Sequence, residues 1–221
     1  MFLEGNAMSA QELFAAIKAG DQARVEGLLA ADPALAAARD DRGMSAVLTA
    51  AYWQQPAIVA ALLAYGPELS FYEAAAAGDP ARVDAILRDD PAVLDAYASD
   101  GFTALGLACF FGHADAAALL LARGADPNRA SDNDMRVAPL HSAAAGGHRP
   151  IVRMLLDRGA DPLAAQEGGF TALHSAAQNG DAPLVELLLA HGAQPNALTD
   201  DGKTPRDLAL EEGHDGVAEL L

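Results

Sequence analysis

Six histidines, one cysteine and 31 carboxylates are the groups in this 221-residue chain that could do chemistry. Two histidines at His-x-x-x-His spacing would place both imidazoles on one helix face, where they could hold a metal ion. No such pair occurs. His113, His141, His148, His174, His191 and His214 are dispersed, and most of them recur at a period of roughly 33 residues. The single cysteine, Cys109, excludes an intramolecular disulfide framework and a zinc-finger pattern. No Gly-x-Ser-x-Gly elbow, phosphate loop or dinucleotide fingerprint is present, and the glycines are spread out rather than clustered. No carboxylate pair stands out in an apolar setting that would tune it for acid–base work. The chain therefore reads as non-enzymatic, with no catalytic residue, no metal and no cofactor.

Composition describes what must position the remaining groups. Hydrophobic residues make up 52% of the chain but aromatics only 5%, so a core has to form by close approach of backbones. The net charge of −17 makes nucleic acid and anionic membranes poor partners and favours a basic one. No apolar run approaches the ~18 residues of a membrane span. The N-terminus lacks a basic segment followed by an apolar one, so no signal peptide is expected. A cytoplasmic, monomeric protein is the resulting expectation, and Met8 offers a second start.

Self-similarity then sets the architecture. Residues 103–128 (TALGLACFFGHADAAALLLARGADPN), 138–162 (APLHSAAAGGHRPIVRMLLDRGADP) and 171–196 (TALHSAAQNGDAPLVELLLAHGAQPN) align without gaps. Thr103, Thr171 and Thr204 stand where a helix can be N-capped, with Pro139 and Pro205 in tolerated first-turn positions. Gly112, Gly147, Gly180 and Gly213 break the chain; Asp21, Asp79 and Asp181 suit capping of a second helix that Gly124, Gly159 and Gly192 end. Each unit is a helix pair that can bury its apolar face only against its neighbours. Thr-x-Leu-His, the Gly-His or Gly-Asp turn, Val-x-x-Leu-Leu and Gly-Ala-Asp-Pro-Asn together resemble the ankyrin repeat.

That resemblance implies an all-α solenoid of stacked helix pairs joined by short β-hairpin fingers. After an N-terminal extension over 1–8, the repeats fall near 9–40, 41–69, 70–98, 99–131, 132–166, 167–199 and 200–221. Turn positions 20, 54, 78, 112, 147, 180 and 213 step by 34, 24, 34, 35, 33 and 33. The short step leaves no finger between the second and third repeats, and the finger before Pro139 is two residues longer than usual. Residues 13–35 match 71–93, so the first four repeats read as a duplicated pair of repeats. Phe2, Leu3 and Met8 are expected to cover the open side of the first helix. The resemblance also assigns His141 and His174 to bonds that hold neighbouring loops, His113, His148 and His214 to a second structural position, and Cys109 to the inside of the stack.

Left over are the positions the scaffold does not need. In ankyrin folds the finger tips and the exposed ends of the first helices form the concave face. The two residues before each turn run Tyr52-Trp53, Ala76-Ala77, Phe110-Phe111, Ala145-Gly146, Gln178-Asn179 and Glu211-Glu212, a gradient from aromatic to acidic. The finger tips carry Met44, Phe102 and Phe170. The expected partner-binding set is Met44, Tyr52, Trp53, Phe102, Phe110, Phe111, Phe170, Gln178 and Asn179. Phe110 and Phe111 could instead be satellite core, and the acidic C-terminal end a solvated cap. The resemblance implies a protein–protein interaction module. Two alternatives stand beside it: an inhibitor or immunity-type protein that masks a basic enzyme or toxin, and a small-ligand pocket at the fingerless notch.

Overall fold

Short alanine-rich segments become helices here because each is capped, and each is stable only against the next. The computed structural model describes the backbone of residues 2–221 and the side chains of 9–221. The expected cover by Phe2, Leu3 and Met8 falls on side chains outside the described residues. Among the described residues the chain forms α-helices and short 3₁₀ turns, with no strand longer than an isolated bridge.

The chain divides into two units at Ala77–Gly78. The first holds α1 (Phe2–Ala19), α2 (Gln22–Ala31), α3 (Ala46–Tyr52), α4 (Pro56–Leu63) and α5 (Phe71–Ala77). There α1, α3 and α5 stack in sequence while α2 packs on α4. The second unit holds α6 (Pro80–Asp89), α7 (Ala104–Phe110), α8 (Ala114–Ala122), α9 (Pro139–Ala145), α10 (Arg149–Asp157), α11 (Ala172–Gln178), α12 (Ala182–Ala190), α13 (Pro205–Glu211) and α14 (Asp215–Ala218). In it α7, α9, α11 and α13 form one row, with α6, α8 and α10 packed behind.

Alanine sets the spacing of these rows. Ala50, Ala74, Ala108, Ala143, Ala176 and Ala209 each stand four residues before a turn, and all are fully buried. With only a methyl at the contact, nothing at these positions holds the first helices apart beyond the usual ~8–10 Å. The second helices supply the bulk through Val25 and Leu29, Ile58 and Leu62, Val83 and Leu87, Ile151 and Leu155, and Leu184 and Leu188.

Three different devices cap the first helices. The Ser45 and Thr103 hydroxyls accept from the N–H groups of Leu48 (3.1 Å) and Gly106 (3.0 Å). Thr204 and Asp207 cap reciprocally, with the Thr204 N–H donating to Asp207 at 2.9 Å. Thr171 departs from its expected role: its hydroxyl caps no backbone group, and the His174 ring accepts the Thr171 N–H at 3.1 Å. His141 does the same for Ala138 at 3.2 Å, which is why that repeat tolerates alanine where threonine is usual. Asp21, Asp79 and Asp181 cap α2, α6 and α12 as expected.

The turn glycines are required twice over. Gly78, Gly112 and Gly180 have φ of +70°, +77° and +67°, the left-handed region that side chains resist. The ring of the next repeat's His113, His148 or His214 also occupies the space where a Cβ would stand. Three of the fingers close with a single bridge rather than a ladder: Arg39 with Ser45, Tyr97 with Thr103, and Ala165 with Thr171. Between α4 and α5 the seven residues 64–70 contain no bridge.

Candidate partner-binding surface

First-helix ends escape the core because the helix stops one turn beyond its buried alanines. In the first unit α3 ends at Tyr52, and Trp53 caps it with 52% of its surface exposed. Tyr52 is half-buried. Gln54 takes the left-handed conformation (φ +52°) where other repeats use glycine. Met44 is half-buried at a finger tip, its N–H held by Asp40 at 2.9 Å.

In the second unit Phe110 is 44% exposed and Phe111 half-buried. Their rings meet edge-on with centroids 5.0 Å apart, and Phe111 lies 6.4 Å from the His113 ring. Phe102 and Phe170 are half-buried finger-tip residues, with Phe170 resting 5.3 Å from the His174 ring. Gln178 and Asn179 are exposed, and the Asn179 amide donates to Ala145 O at 3.0 Å, tying α11 to the end of α9. Of the expected residues, the structure brings Phe110 and Phe111 into direct contact. Phe170 turns toward its own helix, and Asn179 already spends a donor on the scaffold.

Sequence reasoning left two features incomplete, noting only the extra length of the first. The first is the interior of the long finger. Ser131 bonds across it to Val137 at 3.0 Å, and the Asn133 carbonyl oxygen of the side chain accepts from Ser131 Oγ (2.8 Å) and Met135 N–H (3.1 Å). Backbone bonds brace it on both sides, from Asp132 N–H to Gly101 O (2.8 Å) and from Glu167 N–H to Met135 O (3.0 Å). Beside it lies an open polar groove of about 690 Å³, where the Arg129 guanidinium sits 4.8 Å over the Tyr97 ring. The two extra residues were the signal available in sequence.

The second is Glu73, only 4% exposed on α5 and paired with Arg39 at 3.1 Å. Burial alone would raise its carboxyl. Bonds from the Ser70 N–H, the Ser45 and Ser70 hydroxyls and Arg39 outweigh that and hold it below the usual carboxylate range. The Ser70-x-x-Glu73 spacing is a capping-box signature that announces the Ser70 partner, and the two residues do cap reciprocally; nothing near Glu73 in the sequence announces Arg39 or Ser45.

The groups that looked reactive are built into the scaffold. Cys109 is fully buried and its thiol is pushed up by desolvation, far from the thiolate a nucleophile needs. His141 Nε2 donates to Ala164 O at 2.8 Å and His174 Nε2 to Lys203 O at 3.2 Å, so each holds the following loop. Burial depresses both rings, outweighing the carbonyl bonds. Among the described residues no three His, Cys, Asp or Glu side chains gather in a way that could hold a metal ion. No described helix is long and apolar enough to cross a membrane.

Stacked helix pairs with Gly-linked turns, His-braced loops and bridge-closed fingers define a repeat protein of the ankyrin type. The family model "Ankyrin repeats (3 copies)" matches residues 71–166, and "Ankyrin repeats (many copies)" matches 164–209. The chain belongs to the ankyrin-repeat family. Ankyrin repeats are in general protein–protein interaction modules and typically non-catalytic. No curated protein matches the chain.

Proposed function

We propose that this protein is a non-catalytic recognition module that binds a partner protein through the ends of its first helices and its finger tips. One observation carries the reading. At the pair of positions before the turn, the fold is satisfied by Ala145-Gly146 in one repeat, yet another repeat places Phe110 there with 44% of its surface in solvent. Trp53, the chain's only tryptophan, is likewise 52% exposed at that position of the first unit. Large aromatics at positions the core does not use are the residues from which interaction hot spots are built, at ~2 kcal/mol or more each. The net charge of −17 favours a basic partner.

The test is paired affinity capture from native lysate with wild type and a Trp53→Ala/Phe110→Ala variant whose fold is verified by circular dichroism. The reading expects a partner retained by wild type and lost by the variant. Equal capture by both would remove these two exposed aromatics from the mechanism.

A further inference from the structure

Along the row α7, α9, α11, α13 the residues before each turn form an ordered series. Phe110 and Phe111 present an apolar edge, Ala145 and Gly146 a bare floor, Gln178 an exposed amide, and Glu211 and Glu212 two exposed carboxylates. The floor is bare for a physical reason: a Cβ on Gly146 would stand 2.4 Å from Nε2 of His148. The helices stack in this order, so three steps of ~8–10 Å separate the aromatic end from the acidic end by about 25–30 Å.

We infer that this row is a polar track that takes one segment of a partner protein in one direction, with a bulky apolar side chain on Phe110 and Phe111 and a Lys or Arg pair at Glu211 and Glu212. This rests on the recognition reading above and adds the chemistry and orientation of the occupant. Charge complementarity selects the basic end. Lys203 Nζ lies 2.7 Å from Glu211 and already neutralises part of it, so Glu212 does the larger share of the steering. The segment's middle lies over Ala145 and Gly146, which carry nothing larger than a methyl, between the His148 ring and the Asn179 amide. In helical form such a segment needs about 18 residues to span the track, at 1.5 Å per residue.

A displayed library of random 20-residue peptides, selected against the full chain, tests this directly. Wild type should enrich peptides that combine a bulky apolar residue with Lys or Arg, and their binding should weaken with added salt. Phe110→Ala should weaken the enriched peptides at least tenfold. Glu212→Lys, which leaves the Lys203–Glu211 pair in place, should replace the basic residues of the enriched set with Asp or Glu. Peptides that bind wild type but lack basic residues, or that are selected equally by Glu212→Lys, would overturn the orientation and leave the recognition reading standing. A wild type that enriches nothing would overturn both.

Discussion

The His148 ring fills the space that a side chain on Gly112 would need: a Cβ there would stand 2.5 Å from His148 Cε1. Two costs are superimposed at this glycine, its φ of +77° and the ring, and a second site separates them. Gly213 has φ +78° with nothing within 4 Å. Gly213→Ala should therefore cost about 1–2 kcal/mol from backbone strain. Gly112→Ala should cost a further ~1–3 kcal/mol from overpacking. Removing the ring in His148→Ala/Gly112→Ala should abolish that excess in a denaturation cycle.

Glu73 gives the first unit an acid-sensitive contribution. Its folded carboxyl is depressed, so the stabilisation is fully present above the ordinary carboxylate pKa of about 4 and is lost as pH falls through the folded value. Glu73→Gln should destabilise the first unit by about 1–3 kcal/mol at neutral pH. Hydrogen exchange of α3 and α5 amides should show the gap between the two proteins closing in acid.

His141 and His174 act at a higher pH. Both folded pKa values are lowered by burial, so the unfolded chain binds protons that the folded chain refuses. Stability of the second unit should fall as pH drops below about 6.5, the unfolded value. The cause is visible in the ring: Nδ1 of His174 accepts the Thr171 N–H, and a proton on that nitrogen would face a donor. Denaturation curves of His174→Gln should show a shallower loss over this range.

Trp53 makes unlabelled protein report on its own surface. With 52% of the residue in solvent, its fluorescence should be red-shifted and readily quenched by acrylamide, and a partner covering α3 should reverse both. Trp53→Ala should change stability by no more than about 0.5 kcal/mol.

Cys109 should be silent toward a thiol reagent in the native protein, being wholly buried with a raised pKa. Reaction should appear only as denaturant opens the α7–α9 interface. A fast reaction under native conditions would contradict this burial.

Much of this was legible in the sequence because the repeat states it several times. The aspartates capping α2, α6 and α12 and the left-handed glycines at 124, 159 and 192 stand as the pattern required. What stayed hidden depends on which partner a side chain takes, three residues away at Thr171 and 34 away at Glu73. Nothing around Thr171 announces that His174 takes over its capping, and nothing around Glu73 announces Arg39. Exposure was only half legible: alignment placed Phe110 and Phe111 side by side, but which ring faces water depends on the edge-on contact between them. The backbone bonds that brace the long finger come from residues whose side chains play no part, so residue identity carried no signal.

The glycine–ring contacts also make three of the junctions between repeats matched pairs. Gly78 meets His113, Gly112 meets His148, Gly180 meets His214, Gly20 meets Gln55, and Gly147 has only Asp181 near it, at 3.9 Å. A crossover between repeats of different kinds would join a turn to a foreign tongue, and an imidazole where Asp181 stands would also break its ion pair with Arg149. Repeats of this protein are thus not all interchangeable beads: the three that present a histidine to the preceding turn can replace one another at that contact, whereas those presenting Gln55 or Asp181 must move together with their own partner glycine.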